Sequence, residues 1–244
     1  MSLLFEKSYN QVRSKEGRIY TDEALRMLPE VPVNHQYYGE WTVRKRSSLR
    51  LIRYLAAKNK PQHIVEIGCG NGWLCHRLSL ISGARVTGQD INLTELQQAA
   101  RVFGGASNIQ FICGDLYPGG LAELEADVIV FAASIQYFPS LEKTLQWSLQ
   151  QLAPGGEIHI LDSPFYEPGE VNAAKKRALD YFTAMGLPEV ARYYFHNTRA
   201  ALAAFNPRLL YNPWSIGSRI LRRKDPFPWY RIKNVKFTKL EKEA

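Results

Sequence analysis

Three glycines at alternate positions follow an apolar run in the stretch VEIGCGNGW, residues 65–73. Glycine has no Cβ, so a cluster of this kind forms a tight turn or leaves bare backbone for a ligand to lie against. The dinucleotide-binding pattern G-x-G-x-x-G fits at Gly68 and Gly70, but Trp73 occupies its third glycine position. The P-loop pattern fails as well, because no G-K-[ST] follows. The glycines therefore favour a flat ligand without phosphate over a nucleotide.

Two aspartates occur where further strands are expected to end. Asp90 closes the segment ARVTGQDI, and Asp115 closes IQFICGD. A carboxylate about 20 residues beyond a glycine loop can accept hydrogen bonds from both hydroxyls of a ribose. A carboxylate on the next strand could accept one from an adenine amino group. Each aspartate alone is more often a helix cap or turn former, but the glycines and both aspartates in this order predict a nucleoside site.

Strand and helix patterns alternate through the centre of the chain, and they predict the elements that must position this site. Apolar strand patterns occupy residues 63–68, 84–91, 109–115, 127–133 and 157–162. Helical spacing occupies residues 72–81, 92–103 and 140–152, with Asn92 or Thr94 as an N-cap. Apolar strands that alternate with helices predict a parallel sheet with helices on both faces.

The two flanks of this region are less regular. A helix is predicted at 45–58, before the first strand, and two more at 169–185 and 198–205. PRLLYNP (207–213) and PWYRIKNVKF (228–237) are candidates for two late strands.

The motifs in order resemble the class I S-adenosylmethionine-dependent methyltransferases. VEIGCGNGW resembles their first motif, VTGQDIN the second, CGDL the adenine-site motif, ADVIVFAASIQYF the fourth-strand motif, and LAPGGEIHILD the turn and strand that follow. The resemblance covers roughly residues 60–165. It implies an α/β fold: a doubly wound, mostly parallel seven-stranded sheet whose last strand is antiparallel, with helices on both faces and an N-terminal helical cap. The expected boundaries are 1–60 for the cap and 61–244 for the methyltransferase domain, with core motifs at 63–165 and an insertion plus the last strands at 166–244.

The resemblance also implies the cofactor, S-adenosyl-L-methionine, and the residues that hold it. The glycines would line the methionine part of the cofactor, and Glu66 would reach that part directly or through water. Asp90 and Ile91 would hold the ribose and flank the base. Asp115 and Leu116 would lie at the adenine. Backbone near Ala132–Ser134 would face the sulfonium. The full expected set is Glu66, Gly68, Cys69, Gly70, Asn71, Gly72, Asp90, Ile91, Asp115, Leu116, Ala132 and Ser134.

The methyl acceptor is less well defined. Methyltransferases that act on base amino groups or glutamine carry [DN]-P-P-[YF] after the fourth strand, where this chain has AASIQYF. Cytosine-C5 enzymes need a Pro-Cys near strand four, and none of Cys69, Cys75 and Cys113 fits. The region from SIQYF onward resembles the small-molecule branch of the family, so a small-molecule acceptor is expected. A general base is needed only if an oxygen or nitrogen nucleophile arrives protonated, and no catalytic residue is assigned.

Aromatic and charged side chains in two segments are candidates for the acceptor pocket. VNHQYYGEWTVRKR (33–46) and ARYYFHN (191–197) supply His35, Tyr37, Tyr38, Trp41, Arg44, Tyr193, Tyr194 and His196. The alternative for each is packing of the cap against the sheet. Asp162 and His159, on the fifth strand, are weaker candidates, because His159 is expected mid-strand.

Composition and charge narrow the class of protein. The 244 residues carry a net charge of +8, with basic flanks around an acidic centre. Three cysteines without a C-x-x-C or a nearby histidine predict reduced thiols and no metal site. Glu6 and Lys7 interrupt any signal peptide, and DVIVFAASI is too short to span a bilayer, so a cytoplasmic protein is expected. We expect it to be a monomer or a homodimer.

The basic flanks keep other functions open. A basic patch could bind phosphates or could form a solvated face. It would consist of RILRRK (219–224), Lys45, Arg46, Arg50 and Arg53. An RNA or protein methyltransferase is therefore one alternative, and the aromatic-rich DPFPWYRIK (225–233) suits RNA stacking. A cofactor-binding protein without catalysis is the other.

Overall fold

Seven strands form one sheet in the computed structural model, which describes residues 3–116, 124–215 and 225–234. The strands are β1 Gln62–Ile67, β2 Ala84–Asp90, β3 Ile109–Cys113, β4 Ala126–Ala132, β5 Leu152–Leu161, β6 Arg208–Tyr211 and β7 Trp229–Lys233. The helices are α1 Leu3–Lys15, α2 Asp22–Met27, α3 Tyr38–Ala56, α4 Trp73–Ser79, α5 Leu93–Phe103, α6 Leu141–Gln150, α7 Val171–Ala184 and α8 Arg199–Ala203. Short 3-10 turns occupy Ile135–Tyr137, Pro168–Glu170 and Pro188–Tyr193.

The strand order confirms the doubly wound topology. It runs β3-β2-β1-β4-β5-β7-β6, with parallel pairing from β3 through β5 and with β7 antiparallel to both of its neighbours. The order reverses between β1 and β4, so the connections leave β1 and β4 in opposite directions. The crevice at such a switch point, at the carboxyl ends of the strands, is where open α/β sheets bind ligands. The glycine loop follows β1 at this point.

Alternate residues of the same strands enter two separate cores, one on each face of the sheet. Ile64 and Val128 pack with Leu51 of α3 and Leu78 of α4. Their neighbours Val65 and Ile129 point to the other face and pack with side chains of α6 and α8. Because these strands are buried on both faces of the sheet, apolar residues occupy consecutive positions in their sequences.

Most predicted elements are confirmed, and the differences lie at their ends. Asn92 caps α5 by accepting a hydrogen bond from the Glu95 amide at 3.1 Å, as predicted. β5 begins at Leu152, earlier than expected, because Leu152 already pairs with Ala126 before an irregularity in the ladder. α3 begins at Tyr38 and not at residue 45. Residues 219–224 of the basic stretch and 235–237 of the last strand candidate lie outside the described residues.

The first helix, α1, lies within the expected helical cap (1–60), although it was not predicted there as a separate helix. It packs beside the carboxyl edge of the sheet, where the Asn92 side chain donates a hydrogen bond to Asn10 Oδ1 at 2.7 Å. The ring of Tyr9 stands perpendicular to that of Tyr137, with centroids 5.7 Å apart. Leu25, Leu28 and Trp41 belong to the same core as the sheet, so the N-terminal cap is packed onto it.

Candidate functional site

The glycine loop after β1 needs glycine for two different reasons. Gly68, Gly70 and Gly72 all have positive φ, at 73°, 52° and 74°. A Cβ on Gly68 would lie 2.6 Å from Ser134 Cβ, so only a bare backbone fits between the ends of β1 and β4. Gly72 is different: it starts α4, and a Cβ there would meet the Phe111 ring at 2.7 Å. Gly72 therefore allows the helix to pack and is not among the residues that line the cavity.

Asp90 holds the loop in place from the neighbouring strand. Its Oδ2 accepts a hydrogen bond from the Gly70 amide at 2.8 Å, and its Oδ1 accepts one from the Asn92 amide at 2.8 Å. Burial raises the pKa of this carboxyl above its usual range, and the amide donors oppose that rise. Each carboxylate oxygen has a second lone pair, so both can accept a further hydrogen bond from a ligand hydroxyl.

A cavity with two chambers opens at this edge of the sheet. The smaller chamber, about 80 Å³, lies between β2, β3 and the segment after β4. Its lining includes Phe5, Asp90, Ile91, Asn92, Asp115, Leu116, Ser134 and Phe138. It is thus an apolar slot with carboxyl groups at its edge, a chemistry that suits a planar base with a ribose. The larger chamber, about 500 Å³, shares Tyr9, Gly68, Gly70, Ala133 and Tyr137 with it.

The larger chamber combines the glycine loop with the N-terminal helices. From the expected cofactor set it is lined by Glu66, Gly68, Cys69, Gly70, Asn71 and Ala132. Trp41 and Arg44 of α3 form one wall, and the Trp41 ring meets Trp73 edge-on with centroids 5.4 Å apart. The two chambers together contain every predicted cofactor residue except Gly72.

The acceptor candidates divide into residues that reach a cavity and residues that do not. Trp41, Arg44 and Tyr194 line the larger chamber. His196 instead lines an adjoining cavity of about 310 Å³, which shares Tyr194 with the larger chamber.

The remaining candidates of the cap are not among the residues that line these chambers. His35 Nδ1 accepts a hydrogen bond from the Tyr37 amide, and the Tyr37 hydroxyl donates to the Glu16 carbonyl at 2.6 Å. Tyr38 is exposed. The sequence analysis gave packing of the cap against the sheet as the alternative role, and the exposed Tyr38 does not fit that role either.

His159 and Asp162 of the fifth strand have opposite environments. His159 is fully buried, and its Nδ1 accepts a hydrogen bond from Trp229 Nε1 at 3.1 Å. Asp162 follows the last residue of β5 and lines the larger chamber. The side chain considered a weak candidate is therefore closer to the site than His35 and Tyr37 are.

Several cavity residues were not named individually as site candidates in the sequence analysis. They are Tyr9, Arg13, Arg18, Tyr20, Glu40, Gln136, Tyr137, Pro164, Pro226 and Phe227. Tyr9 and Arg13 come from α1, and the signal that could have found them is the spacing of Phe5, Tyr9 and Val12 on one helical face.

The acidic and basic groups of the larger chamber are unevenly paired. Glu40 accepts hydrogen bonds from Arg18 NH1 and Arg44 Nε, both at 2.9 Å. Burial alone would raise the pKa of Glu40, but the two guanidinium groups outweigh it and hold the pKa at about 2. Glu40 therefore stays ionised and neutralises part of the positive charge of this wall.

Glu66, unlike Glu40, is mostly protonated. It is 3% exposed in the middle of the chamber floor, and burial raises its pKa to about 8. The Cys75 thiol donates a hydrogen bond to its Oε2 at 3.0 Å. Near neutral pH most of the folded molecules therefore hold Glu66 as a neutral acid.

This protonation makes stability depend on pH, and Glu66→Gln tests it. Between the ordinary pKa of 4.5 and about 8, the folded chain keeps a proton that the unfolded chain releases. We therefore expect the free energy of unfolding of the wild type to fall relative to E66Q as pH rises from 5 to 8, by roughly 1 kcal/mol per pH unit. Urea unfolding of both proteins at four pH values measures the difference. If the difference in free energy of unfolding between the wild type and E66Q did not change with pH, Glu66 would already be ionised in the folded chain.

The described residues contain neither a metal-binding cluster nor a membrane-spanning helix. No group of three His, Cys, Asp or Glu side chains is placed to hold a metal ion there. Of the helices described, none has the length and apolarity to cross a bilayer.

The sheet order, the glycine loop and the acidic ends of β2 and β3 define a Rossmann-like α/β domain with a nucleoside-type cavity. Comparison with known proteins specifies the family: residues 64–156 match a family model described as methyltransferase domain. Residues 64–156 therefore contain a methyltransferase domain, and its motifs are similar to those of the class I S-adenosylmethionine-dependent methyltransferases.

Curated relatives with different acceptors share this domain. A malonyl-[acyl-carrier protein] O-methyltransferase from Halalkalibacterium halodurans is 30% identical over 131 residues, which is 50% of this chain and 48% of the relative. A sterol 24-C-methyltransferase from Eremothecium gossypii is 22% identical over 219 residues, or 88% of this chain and 52% of the relative. The chain thus matches only about half the length of these relatives.

A solved structure matches over most of the chain. The N-methyltransferase NodS from Bradyrhizobium japonicum, in complex with S-adenosyl-L-homocysteine, aligns with a TM-score of 0.58 over 93% of this chain and 100% of its own. At 16% sequence identity this likeness bears on the fold alone. The relatives are thus named for transfer to oxygen, carbon and nitrogen, so they do not define the acceptor.

Proposed function

We propose that this protein transfers a methyl group from S-adenosyl-L-methionine to a small-molecule acceptor. When bound, the cofactor supplies a methyl group that is already electrophilic because it is attached to a sulfonium. The protein has to place a nucleophile in line with that methyl group and exclude water, so proximity and orientation provide much of the rate. The observation that carries the proposal is the two-chamber cavity at the switch point of the sheet.

The residues of the smaller chamber fit an adenosyl group without phosphate. Asp90 offers two oxygens to ribose hydroxyls, and Ile91 and Leu116 offer apolar contact to the base. Carboxyl groups of Asp90 and Asp115 line this chamber together with Gly68 and Gly70, and a phosphate placed there would be repelled. A ligand with a cationic sulfur is instead favoured by the same charges.

The larger chamber supports a small acceptor. Aromatic side chains dominate its wall opposite the glycine loop: Tyr9, Tyr20, Trp41, Tyr137, Tyr194 and Phe227. A cavity of about 500 Å³ is within the range of small-molecule sites.

Three of the four suspected phosphate-binding basic residues that the structure describes form ion pairs within the chain. Arg46 and Arg50 both pair with Asp225 at 2.5 Å, and Lys45 pairs with Glu30 at 2.6 Å. Arg50 also covers the Tyr211 ring, 4.1 Å from its centroid. These pairs neutralise part of the charge of the described basic residues, which favours a small acceptor over a nucleic acid.

Calorimetry and a methyl-transfer assay together test the proposal. We expect S-adenosylhomocysteine to bind the purified protein with micromolar affinity, and NAD to bind at least 100-fold more weakly. Transfer of radiolabelled methyl groups to a panel of small hydroxyl, amine and carboxylate compounds, compared with total RNA, then tests the acceptor class. If neither the methyl donor nor its demethylated product binds, the proposal is wrong. If RNA alone is methylated, the cofactor is correct but the proposal of a small-molecule acceptor is wrong.

A further inference from the structure

The backbone is strained at two adjacent points in the floor of the larger chamber. Ala133, just after β4, has φ of 56°, and Asp162, just after β5, has φ of 52°. They lie side by side, because the Ala133 amide donates a hydrogen bond to the Leu161 carbonyl at 3.0 Å. Both residues line the chamber. A left-handed alanine costs roughly 1–2 kcal/mol, and such strain persists mainly where a functional site requires it.

The side chain of Asp162 is held by one oxygen. Its Oδ2 accepts a hydrogen bond at 2.7 Å from Ser47, a buried hydroxyl of α3. Among the described residues no hydrogen bond to Oδ1 is recorded. One carboxylate oxygen is therefore fixed to the cap, and the other remains for a ligand.

Asp162 differs in this respect from the other two carboxyl groups that line the chamber in the described residues. Glu40 is bound to two guanidinium groups, which lower its basicity. Glu66 is buried, bonded to the Cys75 thiol and mostly protonated near neutral pH.

The other charged and titratable groups around Asp162 come from several elements. Arg44 and Arg50 of α3 favour its ionised form, while burial and Asp225 oppose it, with burial raising its pKa overall. The other charged or titratable side chains in the lining, besides Glu40 and Glu66, are Tyr9, Arg13, Arg18, Tyr20, Cys69, Tyr137 and Tyr194. Burial raises the pKa of Tyr137 and of Tyr194, so neither hydroxyl competes with Asp162 as a base.

We propose that Asp162 accepts the proton of the acceptor, and that the acceptor therefore carries an O–H or N–H group, as an alcohol, phenol or amine does. This inference rests on the proposed function. The acceptor oxygen or nitrogen forms a bond to the methyl carbon as the carbon–sulfur bond breaks, and that electron pair goes to sulfur. The O–H or N–H proton passes to Asp162 Oδ1 and then to solvent. Ser47 is a positioning residue, because its hydroxyl bonds to Asp162 Oδ2 and to the Arg44 carbonyl and does not line the chamber.

A pair of matched probes tests the recognition step without knowledge of the natural acceptor. Phenol carries an O–H donor, and toluene has nearly the same shape without it. With the protein saturated with S-adenosylhomocysteine, ligand-detected NMR titrations give the affinity of each compound. A hydrogen bond to a charged group contributes about 1.5 kcal/mol, so we expect the wild type to bind phenol about tenfold more tightly than toluene.

Variants distinguish Asp162 from the rest of the wall. Asp162→Asn keeps the shape and tolerates the left-handed backbone, so we expect it to fold, to bind S-adenosylhomocysteine like the wild type, and to reduce the preference to about twofold. Asp180→Asn, an exposed carboxyl of α7, is the matched control and should keep the tenfold preference.

The outcomes separate this inference from the proposed function. A wild type without a phenol preference, including one that binds neither probe, or a D162N protein that keeps the preference, would overturn the role of Asp162 while cofactor binding stands. Loss of S-adenosylhomocysteine binding by the wild type would overturn the proposed function itself.

Discussion

Replacing Asp90 with alanine should weaken binding of S-adenosylhomocysteine about 100-fold. The carboxylate is expected to accept two ribose hydroxyls, and each hydrogen bond to a charged group contributes about 1.5 kcal/mol or more. The same side chain also fixes the Gly70 and Asn92 amides, so its loss loosens the loop that lines the cofactor site. Isothermal titration calorimetry of the two proteins measures the ratio of dissociation constants.

Two further variants separate the ribose contacts from the support of the loop. Asp90→Asn keeps the shape but loses the charge and one acceptor, so an intermediate loss of about tenfold is expected. Asp127→Ala removes a carboxylate that also accepts a backbone hydrogen bond, from the His63 amide at 2.8 Å, but at the opposite end of the strands. It should leave the affinity unchanged. A folded D90A protein with wild-type affinity would remove Asp90 from the cofactor site.

The part of the site that follows the sheet could be predicted from the sequence. Gly68, Asp90 and Asp115 lie at the ends of β1, β2 and β3 or just beyond them, and parallel strands bring their carboxyl ends to one edge. Apolar runs that end in glycine or aspartate mark these points directly in the sequence. That is why the predicted cofactor residues line a continuous cavity, with Gly72 as the exception.

The part of the site that depends on contacts between distant segments could not be predicted in the same way. Tyr9 and Arg13 reach the chamber because α1 packs against the start of α5, through pairs such as Asn10 with Asn92. Helical periodicity can reveal α1 itself, but it does not specify the surface against which the helix packs.

The cap shows the same limit within a single segment. His35, Tyr37 and Trp41 lie within seven positions of one another, and all are aromatic. Only Trp41 lies within α3, which forms a wall of the chamber; the other two precede that helix and bond to nearby backbone. Composition alone does not separate them, because the helix boundary decides which side chains reach the cavity.

The chamber wall at α3 depends on a charge cluster, and removing its arginines should destabilise the protein strongly. Asp225 has a side chain only 2% exposed, and it bridges Arg46 and Arg50 at 2.5 Å each. The double substitution Arg46→Met and Arg50→Met leaves this buried carboxylate without a counter-charge, which costs about 3–5 kcal/mol. Asp225→Asn should cost less, about 1–2 kcal/mol, because the arginines are 33% and 29% exposed and can be hydrated.

Urea unfolding of the variants measures this asymmetry, with Arg53→Met, an exposed arginine on the same helix, as the matched control. Because Asp225 directly precedes Pro226 and Phe227 of the chamber lining, the double variant should also bind phenol more weakly than the wild type does. Equal destabilisation by the double variant and by R53M would mean that water, and not the two arginines, compensates the charge of Asp225. The pairing of basic residues within the chain would then no longer argue against a phosphate-binding surface, and the nucleic-acid alternative would regain support.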